Sequence, residues 1–169
     1  MNILMIGQKG LPSRSGGVER HVDFLARGLA TRGHRVIVLT LGTFDLFHAG
    51  HVRLLERCRL LGSVVVGLNS DAFVERYKGR PPVVPYEARA IVVAACRYVD
   101  EVYENDGPGR DIIDEVRPRL IVVGSDWQDR DYMAQLDVDA AWLSERGIVI
   151  VYVPYTAGIS TTQLREAAW

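Results

Sequence analysis

Along this chain, short runs rich in β-branched residues alternate with longer stretches whose apolar residues recur at helical spacing. That alternation is the pattern of a parallel sheet covered by helices on both faces. Strands are expected at residues 3–6, 35–41, 63–68, 100–103, 120–123 and 148–153. Between them Val18, Val22, Leu25 and Leu29 share one helical face, as do Leu54, Leu55, Cys58 and Leu61. Further helices are expected at 86–97, 110–116, 134–146 and from 160 onward. The fold class is therefore α/β. One segment breaks the pattern: in YKGRPPVVP, 77–85, three prolines and a glycine exclude regular structure, and Lys78 and Arg80 make it a cationic loop.

Size and charge narrow the function classes. A chain of 169 residues with 48% hydrophobic content suffices for one well-buried domain and not for two full ones. The formal charge of -1, with Lys and Arg dispersed, gives no polybasic tract for nucleic acid or an anionic membrane, and leaves a small phosphorylated ligand open. Cys58 and Cys96 fall in helical stretches without CxxC spacing, so neither a disulfide framework nor a zinc site is suggested, which fits a reduced cytoplasmic compartment. The opening MNILMIG lacks a basic flank and is too short for a signal peptide or a membrane span; it reads as a strand.

The densest chemistry lies in GTFDLFHAGH, 42–51, where a strand ends at a glycine and a helix begins near Ala49 or Gly50. Open parallel sheets bind ligands beyond the carboxyl ends of their strands, where helix N-termini present free N–H groups to phosphate. His48 and His51 stand three residues apart, about one helical turn, so both imidazoles can donate to a phosphoryl oxygen whose charge grows in a transition state. Gly124 and Asp126 follow another strand and can admit a base or ribose. GISTT, 158–162, sets a glycine and three hydroxyls at a helix start, suited to phosphates. Arg89 and Arg97, eight residues apart on one expected helix, share a face. Each of these also has a plainer reading: GISTT and Asp126 as helix caps, Lys78 as a solvated lysine, either arginine as a surface residue. Asp45 fits a loop-orienting role better than chemistry. Tyr103, Trp127, Tyr132 and Trp142 read as core aromatics.

Taken in order, GTFDLFHAGH, Lys78, YEAR at 86–89, RYVDEV at 97–102, GSDW at 124–127 and YTAGISTTQL at 155–164 resemble the nucleotidyltransferase superfamily with the HxGH motif. Within it they resemble the cytidylyltransferases, and RYVDEV, GSDW and GISTT most resemble those acting on glycerol 3-phosphate. The resemblance covers about residues 36–166. It implies a Rossmann-like sheet of order 3-2-1-4-5 and transfer of CMP from CTP to a small phosphorylated alcohol, giving CDP-glycerol and pyrophosphate if the acceptor is glycerol 3-phosphate. It also implies Mg2+ accompanying CTP and a homodimer. His48, His51, Lys78 and Arg97 would be catalytic by this resemblance. The nucleotide would meet Gly42, Thr43, Phe44, His48, His51, Gly124 and Asp126 on one side. On the other it would meet Thr156, Gly158, Ile159, Ser160, Thr161 and Thr162. Asp45 and Arg89 would hold substrate or structure. Other readings stand beside this one: ethanolamine phosphate or a sugar phosphate as acceptor, ATP as donor, or a non-catalytic nucleotide-binding module. Tyr155 departs from the common family pattern, which has an arginine there.

The first forty residues do not share this resemblance. With SGGVERH in a glycine-rich loop and GHRVIVLT as a following strand, they look like the start of a glycosyltransferase with two Rossmann domains. Residues 1–35 are therefore expected to form a strand-helix appendage to a cytidylyltransferase domain at 36–169. A strand at 3–6 is not expected beside the one at 35–41, whose two edges are already taken.

Overall fold

A computed structural model of the protein describes residues 36–128 and 131–168. Its strands are β1 (Ile37–Gly42), β2 (Ser63–Asn69), β3 (Glu101–Asn105), β4 (Leu120–Gly124) and β5 (Val149–Val153). They form one sheet in the order β3-β2-β1-β4-β5, and every pairing is parallel. This is the order that the resemblance implies. The helices among the described residues are α1 (Ala49–Leu61), α2 (Asp71–Lys78), α3 (Tyr86–Ala94), α4 (Arg110–Val116), α5 (Tyr132–Gln135), α6 (Ala140–Glu145) and α7 (Thr161–Ala168).

Because successive strand side chains point to opposite faces, a strand buried on both faces must be apolar throughout. Val38, Val64, Val66, Val122 and Val151 pack to one side with Leu55, Cys58 and Leu61 of α1 and Val93 of α3. Leu39, Val65, Ile121, Val123 and Ile150 pack to the other with Ile112 and Ile113 of α4, Tyr132 of α5 and Trp142 and Leu143 of α6. Burial pushes the Cys58 thiol up to about 12, so it behaves as a small apolar filler. β1 pairs with β2 along its whole length and with β4 on its other edge. Its end is consequently the best-anchored point from which a site loop can leave.

Several expected boundaries move, each for a local reason. Residues 71–78 are helical: the Ser70 hydroxyl accepts from the Phe73 N–H at the start, and Gly79, at φ 69, closes the end by donating to Glu75. Tyr77 and Lys78 therefore belong to α2, and the loop begins at Gly79. The helix expected at 86–97 stops at Ala94 and gives way to tight turns through Cys96 and Val99. The helix expected at 134–146 is two, because Asp137 takes a left-handed φ of 55 and Asp139 caps a new helix by accepting from Trp142. The strand expected at 3–6, the helical face of Val18 to Leu29 and the appendage expected of them lie outside the described residues.

Candidate active site

All five strands run the same way, so the loops after β1, β2, β4 and β5 gather at one edge of the sheet. They enclose two adjoining cavities. A smaller one of about 210 Å³ lies between β1, α1, β4 and β5. A larger one of about 800 Å³ extends from it toward α2, α5 and α7.

The loop from β1 to α1 is wound tightly, and Phe44 and Leu46 both adopt left-handed φ values, 48 and 46. Non-glycine residues there store strain that the surroundings must hold, as is common at functional sites. His48 is the N-cap of α1, and its Nδ1 accepts from the Gly50 N–H at 3.1 Å. The His51 Nδ1 in turn accepts from the His48 N–H at 3.3 Å. With Nδ1 an acceptor on both rings, the neutral imidazoles carry their protons on Nε2, as two hydrogen-bond donors. The rings stack with centroids 3.9 Å apart. Burial first and the neighbouring His48 second push His51 down to about 3, against the weaker opposing pull of Asp45; burial also lowers His48. The glycine between the histidines is required, since a Cβ at Gly50 would lie 2.9 Å from the His48 ring.

Asp45 fixes this loop. Its Oδ1 accepts from the Leu46 and Val84 N–H groups, and its Oδ2 from the Val83 N–H at 2.9 Å and from Arg165 of α7 at 2.7 Å. Its backbone carbonyl accepts from the Thr161 hydroxyl. Although burial alone would raise Asp45, these backbone donors and the Arg165 guanidinium hold its carboxyl below the ordinary value. Arg89, 2% exposed, is a second strap: it donates to the carbonyls of Val84, Thr43 and Asn69 and pairs with Asp71. It lines neither cavity, so of its candidate roles the geometry selects the structural one.

Other candidates divide. Gly42, Thr43, Phe44, His51, Asp126 and Thr161 line both cavities; His48, Gly124, Thr156 and Ile159 line the smaller, and Asp45, Lys78, Ser160 and Thr162 the larger. A Cβ on Gly124 would meet the Asp126 carboxylate and oblige it to turn aside. The Lys78 ammonium reaches the Thr43 hydroxyl at 3.4 Å. The GISTT hydroxyls are not a free trio. Ser160 caps α7 by accepting from the Gln163 N–H, and Thr161 is engaged by Asp45. Gly158, at φ 82, serves the turn and lines neither cavity. Arg97 is not brought to the cleft either. Because α3 ends before it, Arg97 does not share the Arg89 face; it stands exposed with its guanidinium over the Tyr98 ring. The sequence reading missed Thr40, Arg57, Asn69 and Arg165 and took Trp127 for core, yet all five line a cavity. Position on a strand end or on the third turn of α1 was the available signal for Thr40, Asn69 and Arg57. Tyr155, 48% exposed, borders both cavities where the family pattern has a cation.

The family described as cytidylyltransferase-like matches residues 39–167, which takes in every element of this cleft. The chain belongs to that family. Among curated relatives of this cytidylyltransferase-like chain, the bifunctional protein HldE of Photorhabdus laumondii is 41% identical over 140 residues, covering 80% of the chain and 28% of that protein. Its counterpart in Campylobacter concisus is 38% identical over 116 residues, 66% of the chain and 24% of that protein. The chain thus spans less than a third of the length of these relatives. A solved structure, the lipopolysaccharide core biosynthesis protein from Thermoplasma volcanium, is 27% identical with a TM-score of 0.60, covering 72% of the chain and 98% of that structure. Among the described residues no helix is long and apolar enough to cross a membrane.

Proposed function

We propose that residues 36–169 catalyse transfer of a cytidylyl group from CTP to a phosphorylated sugar, releasing pyrophosphate. The observation that carries this is the pair of neutral Nε2–H donors of His48 and His51 in the smaller cavity, with His51 also lining the larger. An acceptor phosphate oxygen attacks the α-phosphorus of CTP, the bond to the bridging oxygen of the β-phosphate breaks, and pyrophosphate leaves with that electron pair. Catalysis is then positioning and charge stabilisation, without a covalent enzyme intermediate. The histidines donate to the α-phosphoryl oxygens as charge grows, and Lys78, Arg80 and Arg165 set positive charge around the larger cavity.

A sugar phosphate is favoured over the glycerol 3-phosphate that the sequence resemblance puts first. The larger cavity, at about 800 Å³, has room for an acceptor of more than three carbons beside the triphosphate. A relative named for lipopolysaccharide core biosynthesis points to carbohydrate chemistry as well. The donor set also suits Mg2+ arriving on the triphosphate. Among the described residues no three His, Cys, Asp or Glu side chains gather as a metal cage; Asp126 and Thr162, which both line the larger cavity, would offer oxygen atoms to an ion carried in on the triphosphate. When bound, it would neutralise phosphate charge, keeping several of its waters.

The test is pyrophosphate release from CTP and ATP against hexose and heptose phosphates, glycerol 3-phosphate and ethanolamine phosphate. Turnover is expected with CTP and a sugar phosphate, and His48→Ala should lose about 3 kcal/mol of transition-state stabilisation, roughly a hundredfold in rate. CTP binding without turnover on any acceptor would instead identify a non-catalytic module.

A further inference from the structure

Past the histidines, the smaller cavity ends at a wall made by residues outside the HxGH and GISTT motifs. Thr40 of β1, two residues before the strand-ending Gly42, is 1% exposed, and its Oγ1 has no hydrogen-bond partner among the described residues. Arg57 of α1 lines the same cavity, and its Nη1 donates to the Pro154 carbonyl just after β5. That bond fixes the guanidinium at the wall and leaves it further N–H donors. Leu54 and Val153 supply apolar surface between them. A buried hydroxyl without a partner is disfavoured, and a cavity lined by it and by an anchored guanidinium offers the polar edge of a flat ligand groups to pair with.

We propose that Thr40 and Arg57 read the nucleobase and select cytosine. This rests on the nucleotidyl-transfer reading and goes beyond it, since it assigns donor choice to two residues that no motif contains. Cytosine presents two adjacent acceptors, O2 and N3, with an amine beside them. A guanidinium matches the acceptors with paired N–H groups, and a threonine hydroxyl can accept from the amine. Uracil and guanine place an N–H where the guanidinium needs an acceptor. Adenine offers a single ring acceptor beside its amine. Sites built around such bonds reject ligands that leave their polar groups unpaired.

The test measures CTP, UTP and ATP affinities by calorimetry on the full chain and on Thr40→Val, Thr40→Ser, Arg57→Gln and Arg57→Lys. The protein should bind CTP at least tenfold more tightly than UTP or ATP. Thr40→Val and Arg57→Gln should bring that preference to within about twofold, while Thr40→Ser retains it. Arg57→Lys keeps the charge and loses the fork, so it should hold triphosphate affinity and lose base preference; this separates base reading from general attraction to phosphate. Thermal melts confirm folding of each variant, and Thr40→Val should melt no lower than the parent. Variants that keep the parental CTP preference, or a parent protein that binds ATP as tightly as CTP, would overturn the assignment. A parent that binds no nucleotide would instead overturn the proposed function.

Discussion

Asp45→Asn is the substitution whose consequence the structure specifies most fully. Both carboxylate oxygens are occupied, Oδ1 by the Leu46 and Val84 N–H groups and Oδ2 by Val83 and Arg165. Asparagine keeps one acceptor and replaces the other with an NH2, so whichever way it turns, two part-buried donors face a donor. Hydrogen bonds to a charged group are worth about 1.5–3 kcal/mol each, and the partial exposure of Arg165 puts its share at the low end, so the expected loss is about 3 kcal/mol. Urea unfolding at pH 7 measures it as a lower midpoint with an unchanged slope. The sign with pH is fixed as well. A carboxyl held below its ordinary value contributes stability that is present above the unfolded-state pKa and lost as pH falls through the folded one. The gap between the parent and Asp45→Asn should therefore narrow below about pH 4. Activity should fall more than stability, because the same carboxylate holds the loop that carries His48. A loss under about 0.5 kcal/mol at pH 7, the range of an ordinary surface change, would refute the strap.

Arg89→Lys should cost about 2–4 kcal/mol, since a point-like ammonium cannot serve the carbonyls of Thr43, Asn69 and Val84 at once; thermal and urea melts check this. His51 is neutral in the folded protein down to about pH 3 but titrates near 6.5 when unfolded, so the unfolded state binds the extra proton between those values. The parent should accordingly lose stability relative to His51→Gln as pH falls from 6.5 toward 3, and its rate profile should show no step from His51 between pH 5 and 8.

The sheet was legible because its inner strands are buried on both faces and so write themselves as largely apolar runs, as in VVVGL after Ser63, whereas the edge strand β3, EVYEN, is half-exposed. The HxGH loop was legible because a strand-ending glycine and two imidazoles one turn apart have few other uses. Long-range geometry was not. Nothing local in YEAR tells Arg89 from Arg97; their fates diverge because α3 stops at Ala94, which leaves one guanidinium inside the fold and the other over Tyr98. Ser160 and Thr161 read as phosphate ligands until α7 and Asp45 claim their hydroxyls. The α2 helix was signalled by its Ser70 cap and its closing Gly79, but the prolines after them drew the loop two residues too far back.

The direction of β1 has a further consequence. Its carboxyl end delivers the HxGH loop, so Ile37 stands at the opposite edge, about 17 Å away at the usual rise of an extended strand. Val36, the first described residue, therefore stands on the side remote from the cleft. Such a layout suits the domain to portability, since the loops that form the cleft leave the sheet at the end opposite the start of β1. The bifunctional relatives, which carry their matching part within a much longer chain, are what such portability would produce.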